Sequence, residues 1–471
     1  MDKLSKVRWL SFFAFIPSVA MSFMDQSILS VALPIIQKEF NASNSLLMWT
    51  VNSYLLAITI FFLFGGKIGT LIGHRKAYLC GMGIFTLFSA LCSLSTSIEF
   101  LCVARGFQGV GAGIMIPSQI SLVARAFPIQ IRGRVCGLFT SFGTLFLIIA
   151  PFIGGYLTEV LSWRWIFWIN LPIAAIGVLL VLLFIPPMPG VKGKIDLLGF
   201  IYFSSFCSLT TIVFMQGQNW GWGSKPILLS ALFAVVSLYL LLKREKVTEH
   251  PLLELMLFRR KIFAAVNISV CVTQFVLMIT VFRTIYIENI LGYTPSQAGL
   301  ITSISSIPVL FLAPLGGFLS DKICPRLPLF IGYSLLISSF LWLGFFSTPT
   351  LLSLFIALLL FGMGIPLILT PSLTTAISAI EPEKLGTGLG MIYTLRNLVS
   401  TMGLSLIFVF VDMEQKIHLP KVGARLAEIN SFSSVHLILG CLLIIAAITA
   451  FSLYQRKSGH HLPSSPAEGW D

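Results

Sequence analysis

Long apolar stretches alternate with short polar ones along almost the whole chain. Inside the stretches the apolar residues run without a break, with neither the strand period of two nor a one-sided helical stripe. Such runs mark helices apolar on every side. At about 20 residues per membrane crossing, the pattern predicts fourteen helices: Trp9–Pro34, Leu46–Phe64, Ala77–Leu94, Phe100–Ala124, Val135–Tyr156, Trp165–Ile185, Leu197–Met215, Pro226–Leu242, Ile262–Tyr286, Gln297–Leu319, Leu327–Phe346, Leu351–Leu369, Leu389–Phe410 and Val435–Tyr454. The seventh and eighth are joined by a Gly- and Trp-rich turn, Gly217–Gly223. Tryptophan there suits a membrane–water boundary.

Composition narrows the class further. Of 471 residues, 56% are hydrophobic and only 10% charged. Soluble domains carry roughly 25% charge, so a water-soluble protein is excluded. Forty Phe also exclude disorder. A β-barrel would alternate polar and apolar positions. Fourteen helices take roughly 280 residues, which leaves little for a soluble ATPase or sensor domain beside the loops. The expectation is an all-α membrane protein. Lys3, Lys6 and Arg8 before the first run imitate a signal peptide. That run is too long and lacks a small-residue cleavage site, so it reads as the first membrane helix.

Charge placement tests the helix count. With the N-terminus in the cytoplasm, 22 Lys and Arg fall on the cytoplasmic side, 6 on the outer side and 3 within helices. A missed helix would scramble this positive-inside bias. Both termini are therefore expected in the cytoplasm. The net charge of +13 is a topology signal facing anionic lipid, not a nucleic-acid surface.

A weak internal repeat accompanies the count. Gly66 and Thr70 at the end of helix two match Gly317 and Asp321 at the end of helix ten, 251 residues later. Gly111 and Gly113 match Gly362 and Gly364 at the same offset, and Gly133 and Gly137 match Gly386 and Gly390 at 253. The implied plan is 6+2+6 helices: residues 1–190 as one six-helix bundle, 191–248 as two inserted helices, and 249–471 as a second bundle with a short tail. Paired helical halves are a recurrent transporter plan, with the binding site between them near the midplane.

Charges inside a bilayer are functional candidates. Four occur: Asp25, Arg105, Arg283 and Arg396. Asp25 sits roughly 25 Å along helix one and Arg105 enters helix four by roughly 8 Å from the opposite side. In a core about 30 Å thick, these depths nearly coincide. A lipid-surrounded interior disfavours a charged carboxylate, and a guanidinium beside it favours one. A group held in that balance can load and release a proton. The plainer alternative is a static ion pair that orients two helices. Arg396, beside Asn397, reads equally as a cavity residue or an interhelical post. Arg283, close to Tyr286 and Glu288, reads as a snorkelling anchor. Asn52, Tyr54, Gln108 and Gln119 are further candidates for a polar cavity. Gly109, Gly111, Gly113, Gly154 and Gly155 permit close helix approach, and Pro117 and Pro151 are expected to kink their helices.

Neither a catalytic constellation nor metal-ligand spacing is present. Gly65–Thr70 lacks the P-loop spacing. The eight cysteines form no C-x-x-C pair and read as small buried hydrophobes. The His460–His461 pair stands isolated in the tail. No enzyme and no cofactor is expected.

Four stretches in order carry a resemblance: Met24–Pro34 around Asp25, Arg105–Gly113, Trp163–Pro172, and His250–Leu253 with Leu257–Phe258. The chain resembles the fourteen-helix drug:proton antiporter branch of the major facilitator superfamily over about residues 9–455. The resemblance implies the major facilitator fold, two rocking bundles, and a proton-transfer role for the Arg at position 105. It also implies a conformational loop after helix two, here Gly66, Gly73 and Arg75 with Asp321 as its second-half equivalent. The chain departs from that pattern at Thr70, where an acidic residue is usual, and at Phe146 and Ala150, where glycines are usual before Pro151-x-x-Gly154-Gly155. The expected activity is proton-coupled export of hydrophobic or cationic drugs across the inner membrane. A dedicated exporter of one metabolite, lipid or siderophore is the runner-up, and a transporter-like sensor or scaffold a more distant alternative. The expected partners are protons, lipid, a small substrate and, within that branch, a periplasmic adaptor protein; the expected state is a monomer.

Overall fold

The computed structural model describes residues 3–191, 193–248, 251–345, 350–381 and 385–453. Every regular element among these is helical. Fourteen helices are long and apolar enough to span a membrane. They are α1 (Trp9–Leu29), α2 (Leu46–Ile72), α3 (His74–Ser93), α4 (Ile98–Ala126), α5 (Arg132–Val160), α6 (Trp165–Phe184), α7 (Leu197–Gly217), α8 (Lys225–Glu245), α9 (Lys261–Glu288), α10 (Gln297–Lys322), α11 (Arg326–Phe345), α12 (Leu351–Ala379), α13 (Leu385–Ile417) and α14 (Arg425–Leu453). His250 and the His460–His461 pair lie outside the described residues.

Boundaries shift where polar residues continue a helix past its apolar run. The helix containing α13 extends through Asp412 and Lys416, which pair at 2.7 Å one turn apart. The one containing α14 begins about ten residues before the expected Val435, with only Gly423 between the two helices, at φ +79°. Arg425, Glu428 and the serines that follow hide this turn from a hydropathy reading. Four spans are interrupted among the described residues. α1 breaks at Phe15 ahead of Pro17, α6 at Ile169, α9 at Met278 without a proline, and α10 at the 3-10 turn Ile304–Ser306.

α1–α6 pack among themselves, with α4 against α2 and α3, and α5 against α1. α9–α14 repeat that arrangement, with α12 against α10 and α11, and α13 against α9. The halves meet along two seams, α2 with α13 and α5 with α10. α7 and α8 pack on each other, and α7 also touches α2 and α13.

Glycines set the closest approaches. Gly66 meets Gly386 on one seam and Gly317 meets Gly133 on the other, so these repeat partners occupy equivalent places. The glycines of α4 and α12 do not follow the 251-residue offset. Gly113 faces α2 and Gly362 faces α10, while Gly111 faces α3 and Gly364 faces α11. Gly109 and Gly113 let α4 lie against the α2 backbone. Gly154 packs on Ile28 of α1. Gly155 needs no such closeness, because an added Cβ would meet only Val31 Cγ1 at 3.8 Å. The packing role expected for Gly155 is therefore corrected.

The Trp163–Pro172 segment has a clear structural purpose at the end opposite the basic loops. Trp163 Nε1 donates to Glu39 Oε2 at 2.6 Å, and Arg164 Nη2 pairs with Glu39 Oε1 at 2.8 Å. Arg164 Nη2 also donates to the Ser95 carbonyl at 3.0 Å. One short turn thus ties α5–α6 to the ends of the first and third helices. Partial burial lifts the Glu39 carboxyl, but the bonds from Trp163 and Arg164 and the Arg164 charge outweigh it. The group is held below its ordinary value.

Two predictions follow from this packing. At position 109 an added Cβ would lie 2.5 Å from the Tyr54 carbonyl oxygen and 2.9 Å from Ala57 Cβ. Gly109→Ala is expected to destabilise by about 1–3 kcal/mol and Gly155→Ala to leave the melting temperature in detergent nearly unchanged. Equal melting of the two variants would contradict the packing. Because Glu39 is depressed in the folded state, its stabilisation is present above the ordinary carboxylate range and is lost as pH falls through the lowered value. Glu39→Gln should melt below the wild type at neutral pH, and the gap should close on acidification.

Candidate functional site

The candidate site lies where α1, α2 and α4 meet. Close approach of α4 to α2 brings the Thr50 carbonyl and the Tyr54 ring up to Arg105. Arg105 Nε donates to Thr50 O at 3.1 Å, and its guanidinium carbon stands 4.2 Å from the Tyr54 ring centroid. Arg105 Nη1 donates to Asp25 Oδ1 at 2.9 Å and Oδ2 at 2.7 Å, and to Gln108 Oε1 at 2.8 Å. Gln108 Nε2 closes the ring on Asp25 Oδ1 at 3.2 Å. Asp25, Arg105 and Gln108 are 3%, 1% and 0% exposed. Bonds to ionised partners are the strong kind, and water-excluded surroundings strengthen them further.

A charged cluster closed in this way can change state through one proton. A carboxylate accepts only; its protonated form donates and accepts less. Protonating Asp25 would weaken its hold on Arg105, which keeps Thr50 O, Gln108 and the Tyr54 face as alternatives. The helix carrying Asp25 would then be freed from the helix carrying Arg105.

Of the cavity residues expected from the sequence, Tyr54 and Gln108 join this cluster. Gln119 does not. It lies eleven residues further along α4 than Gln108, roughly 16 Å at 1.5 Å per residue, and accepts from Ser18 Oγ at 3.1 Å. Asn52 and Asn397 are half-buried. Arg396 forms a separate polar link in the second half. Its Nε donates to Gln274 Oε1 at 2.9 Å, and Gln274 Nε2 donates to Ser400 Oγ at 3.2 Å. This joins α13 to α9 beside the break at Met278, to whose sulfur Ser400 Oγ donates at 3.2 Å.

Arg283 does not snorkel. It is fully buried, with Nε donating to His436 Nε2 at 3.2 Å and its guanidinium over the Phe361 and Phe340 rings at 4.4 and 5.1 Å. Aromatic faces from α11 and α12 replace the aqueous boundary that the sequence position suggested. Sequence reasoning also missed Thr50, Gln274 and His436. Gln274 and His436 are polar interruptions of apolar runs and were visible as such. Thr50 acts through its carbonyl, for which no side-chain signal exists.

Of the loop residues, Gly66 and Asp321 fall on the two seams, whereas Gly73 and Arg75 meet the end of α6 and the segment after it. Gly73 adopts φ +93° against the Met188 carbonyl, a conformation open chiefly to glycine. Arg75 Nη2 donates to the Leu182 carbonyl at 3.0 Å. Thr70 bonds within its own helix to Gly66 O at 3.1 Å, and its carbonyl receives Val191 N at 2.9 Å. Its counterpart Asp321 crosses to the other half. Oδ1 accepts from Gly133 N and Oδ2 from Arg134 N, both at 3.0 Å. These are unsatisfied donors of the first turn of α5, where the helix dipole favours negative charge. The Pro251–Phe258 segment docks through Lys67 Nζ to Pro251 O at 3.2 Å and Leu252 N to Glu245 Oε1 at 3.2 Å.

The sequence profile of the Major Facilitator Superfamily matches residues 15–404. The chain is 32% identical over 390 residues to the multidrug resistance protein Stp of Mycobacterium tuberculosis, covering 82% of this chain and 73% of that one. It is 30% identical over 402 residues to the riboflavin transporter RibZ of Clostridioides difficile, covering 84% and 87%. In fold it is similar to the proton:xylose symporter XylE, with TM-score 0.67, 16% identity, and coverage of 95% of this chain and 96% of that one. It is also similar to the human organic anion transporter MFSD10, with TM-score 0.60, 14% identity, and coverage of 94% and 100%. With fourteen spans, paired bundles and this match across most of its length, the chain is a multi-pass membrane transporter belonging to the major facilitator superfamily.

Proposed function

We propose that this transporter exports hydrophobic, cationic or amphipathic compounds across a bacterial inner membrane in exchange for protons. Asp25 carries the proton and Arg105 is its partner. The observation that carries this reading is the buried Asp25–Arg105–Gln108 cluster, because a carboxylate sealed from water and paired to one guanidinium is a chemical group that a single proton can reset. The likeness to the multidrug protein Stp supports the substrate class. The likeness to RibZ favours a second reading, a carrier dedicated to one metabolite. A resistance panel without phenotype would select it.

Alternation would proceed by rocking of α1–α6 against α9–α14. The described seam contacts gather toward the end bearing the basic loops. They include Gly66 with Gly386, Phe62 stacked on Tyr393 at 4.6 Å, and Asp321 on the start of α5. These contacts hold the two bundles together on that side. Asp321 is the latch of the α5–α10 seam. With Thr70 in the equivalent place on the α2–α13 seam, the charged latch is one-sided.

In inverted vesicles with an imposed pH gradient, Asp25→Asn is expected to abolish gradient-driven transport. Substrate counterflow, which needs a folded cycling protein but no net proton movement, should persist. Intact gradient-driven transport in this variant would remove Asp25 from the mechanism. Asp321→Asn weakens the latch by about 1 kcal/mol, which is roughly a fivefold shift toward the open state. Cys136, beside the latch on α5, reports it. Its maleimide labelling, resolved by peptide mass, should quicken about fivefold, and an unchanged rate would refute the latch.

A further inference from the structure

We propose that the inserted pair α7–α8 holds an anionic phospholipid at its basic end. A cavity of about 750 Å³ opens there, between the start of α7 and the end of α8. Lys194, Lys243 and Arg244 line it together with Asp196, Leu198 and Tyr202. It lies apart from the Asp25 cluster, which belongs to α1, α2 and α4.

The charges do not cancel within the protein. Asp196 is already committed. Arg244 Nε donates to both of its oxygens at 2.9 Å, and Gly199 N donates to Oδ1 at 3.0 Å, capping α7. That pair fixes the two helices at the cavity's edge and neutralises the carboxylate. Lys194 and Lys243 remain as exposed positive charge in excess. A phosphodiester matches this chemistry, because it is anionic at all relevant pH and accepts from several ammonium and guanidinium donors at once.

The walls select a lipid over a soluble phosphate. Leu197 is 64% exposed and Val247 82% exposed beside the cations. The α8 surface above them presents Leu232, Phe233, Val236 and Tyr239 outward. Only 17% of the α8 span is buried inside the protein. Acyl chains continue the headgroup's contact along this face, whereas a free phosphate leaves it bare. Basic pockets between membrane helices recognise lipid headgroups by this combination. The inserted pair then acts as a lipid-anchored strut against α2 and α13, the helices of one rocking seam.

The test is native mass spectrometry of the delipidated full chain, titrated with phosphatidylglycerol or phosphatidylcholine. The wild type should retain phosphatidylglycerol preferentially. Lys194→Gln with Lys243→Gln should lower that affinity by about 25-fold, at about fivefold per lysine, and leave phosphatidylcholine unchanged. Lys194→Arg with Lys243→Arg should preserve the preference. Lys76→Gln with Lys261→Gln removes the same charge from exposed positions outside the cavity, and should change the affinity less than about twofold. Arg244 is left intact because it holds Asp196. Equal phosphatidylglycerol affinity in the wild type and the Gln pair overturns the site. So does an equal loss in the control pair, or displacement of the lipid by millimolar inorganic phosphate. None of these readouts depends on transport, so failure here is separable from failure of the proton-exchange reading.

Discussion

A carboxylate cannot remain charged in a water-excluded interior without a partner, and the organisation of the first bundle answers to that constraint. Asp25 is compensated by Arg105, and Arg105 in turn by the Thr50 carbonyl, Gln108 and the Tyr54 face. The contacts to Thr50 and Tyr54 require α4 to lie against α2 at backbone distance, which Gly109 and Gly113 permit. Removing one partner of a buried pair leaves an uncompensated charge and destabilises by about 3–5 kcal/mol. The proposed proton exchange would draw on the same steepness, since one proton at Asp25 would change the partners available to Arg105.

The second bundle shares the architecture and uses different chemistry. Arg396 bridges α13 to α9 through Gln274, next to a break in α9 that no proline imposes. Arg283 meets a histidine nitrogen and two aromatic faces instead of a carboxylate, and its Nη1 and Nη2 are buried without a hydrogen-bond partner. Asymmetry extends to the seams. Asp321 places a carboxylate on the start of α5, whereas the Thr70 hydroxyl bonds within its own helix and its carbonyl accepts from Val191 N. Two halves with common packing but unequal seam contacts need not separate at equal energy.

The inserted pair fits this frame as a peripheral element. α7 touches one helix of each bundle along a seam that must move, and α8 faces mostly lipid.

Helix number and class were legible in the residues alone. Burying an unpaired backbone in lipid is forbidden, so a 20-residue apolar run has one solution, and loop lysines and arginines sort by side. Asp25 and Arg105 were also legible, since a charge at mid-depth is rare and two at equal depth invite pairing. The repeat was readable at Gly66 and Gly133, where backbone meets backbone, but its register slipped at Gly111. Helix ends such as Arg425–Ser434 were hidden because polar residues continue a helix beyond the lipid. Depth along a helix is set by sequence position, but the direction a residue faces is set by which neighbour packs there. Only the tertiary structure could therefore bury Arg283 among aromatics, send Gln119 to Ser18, relieve Gly155 of a packing role, bring a backbone carbonyl to Arg105 and gather three cations around one cavity.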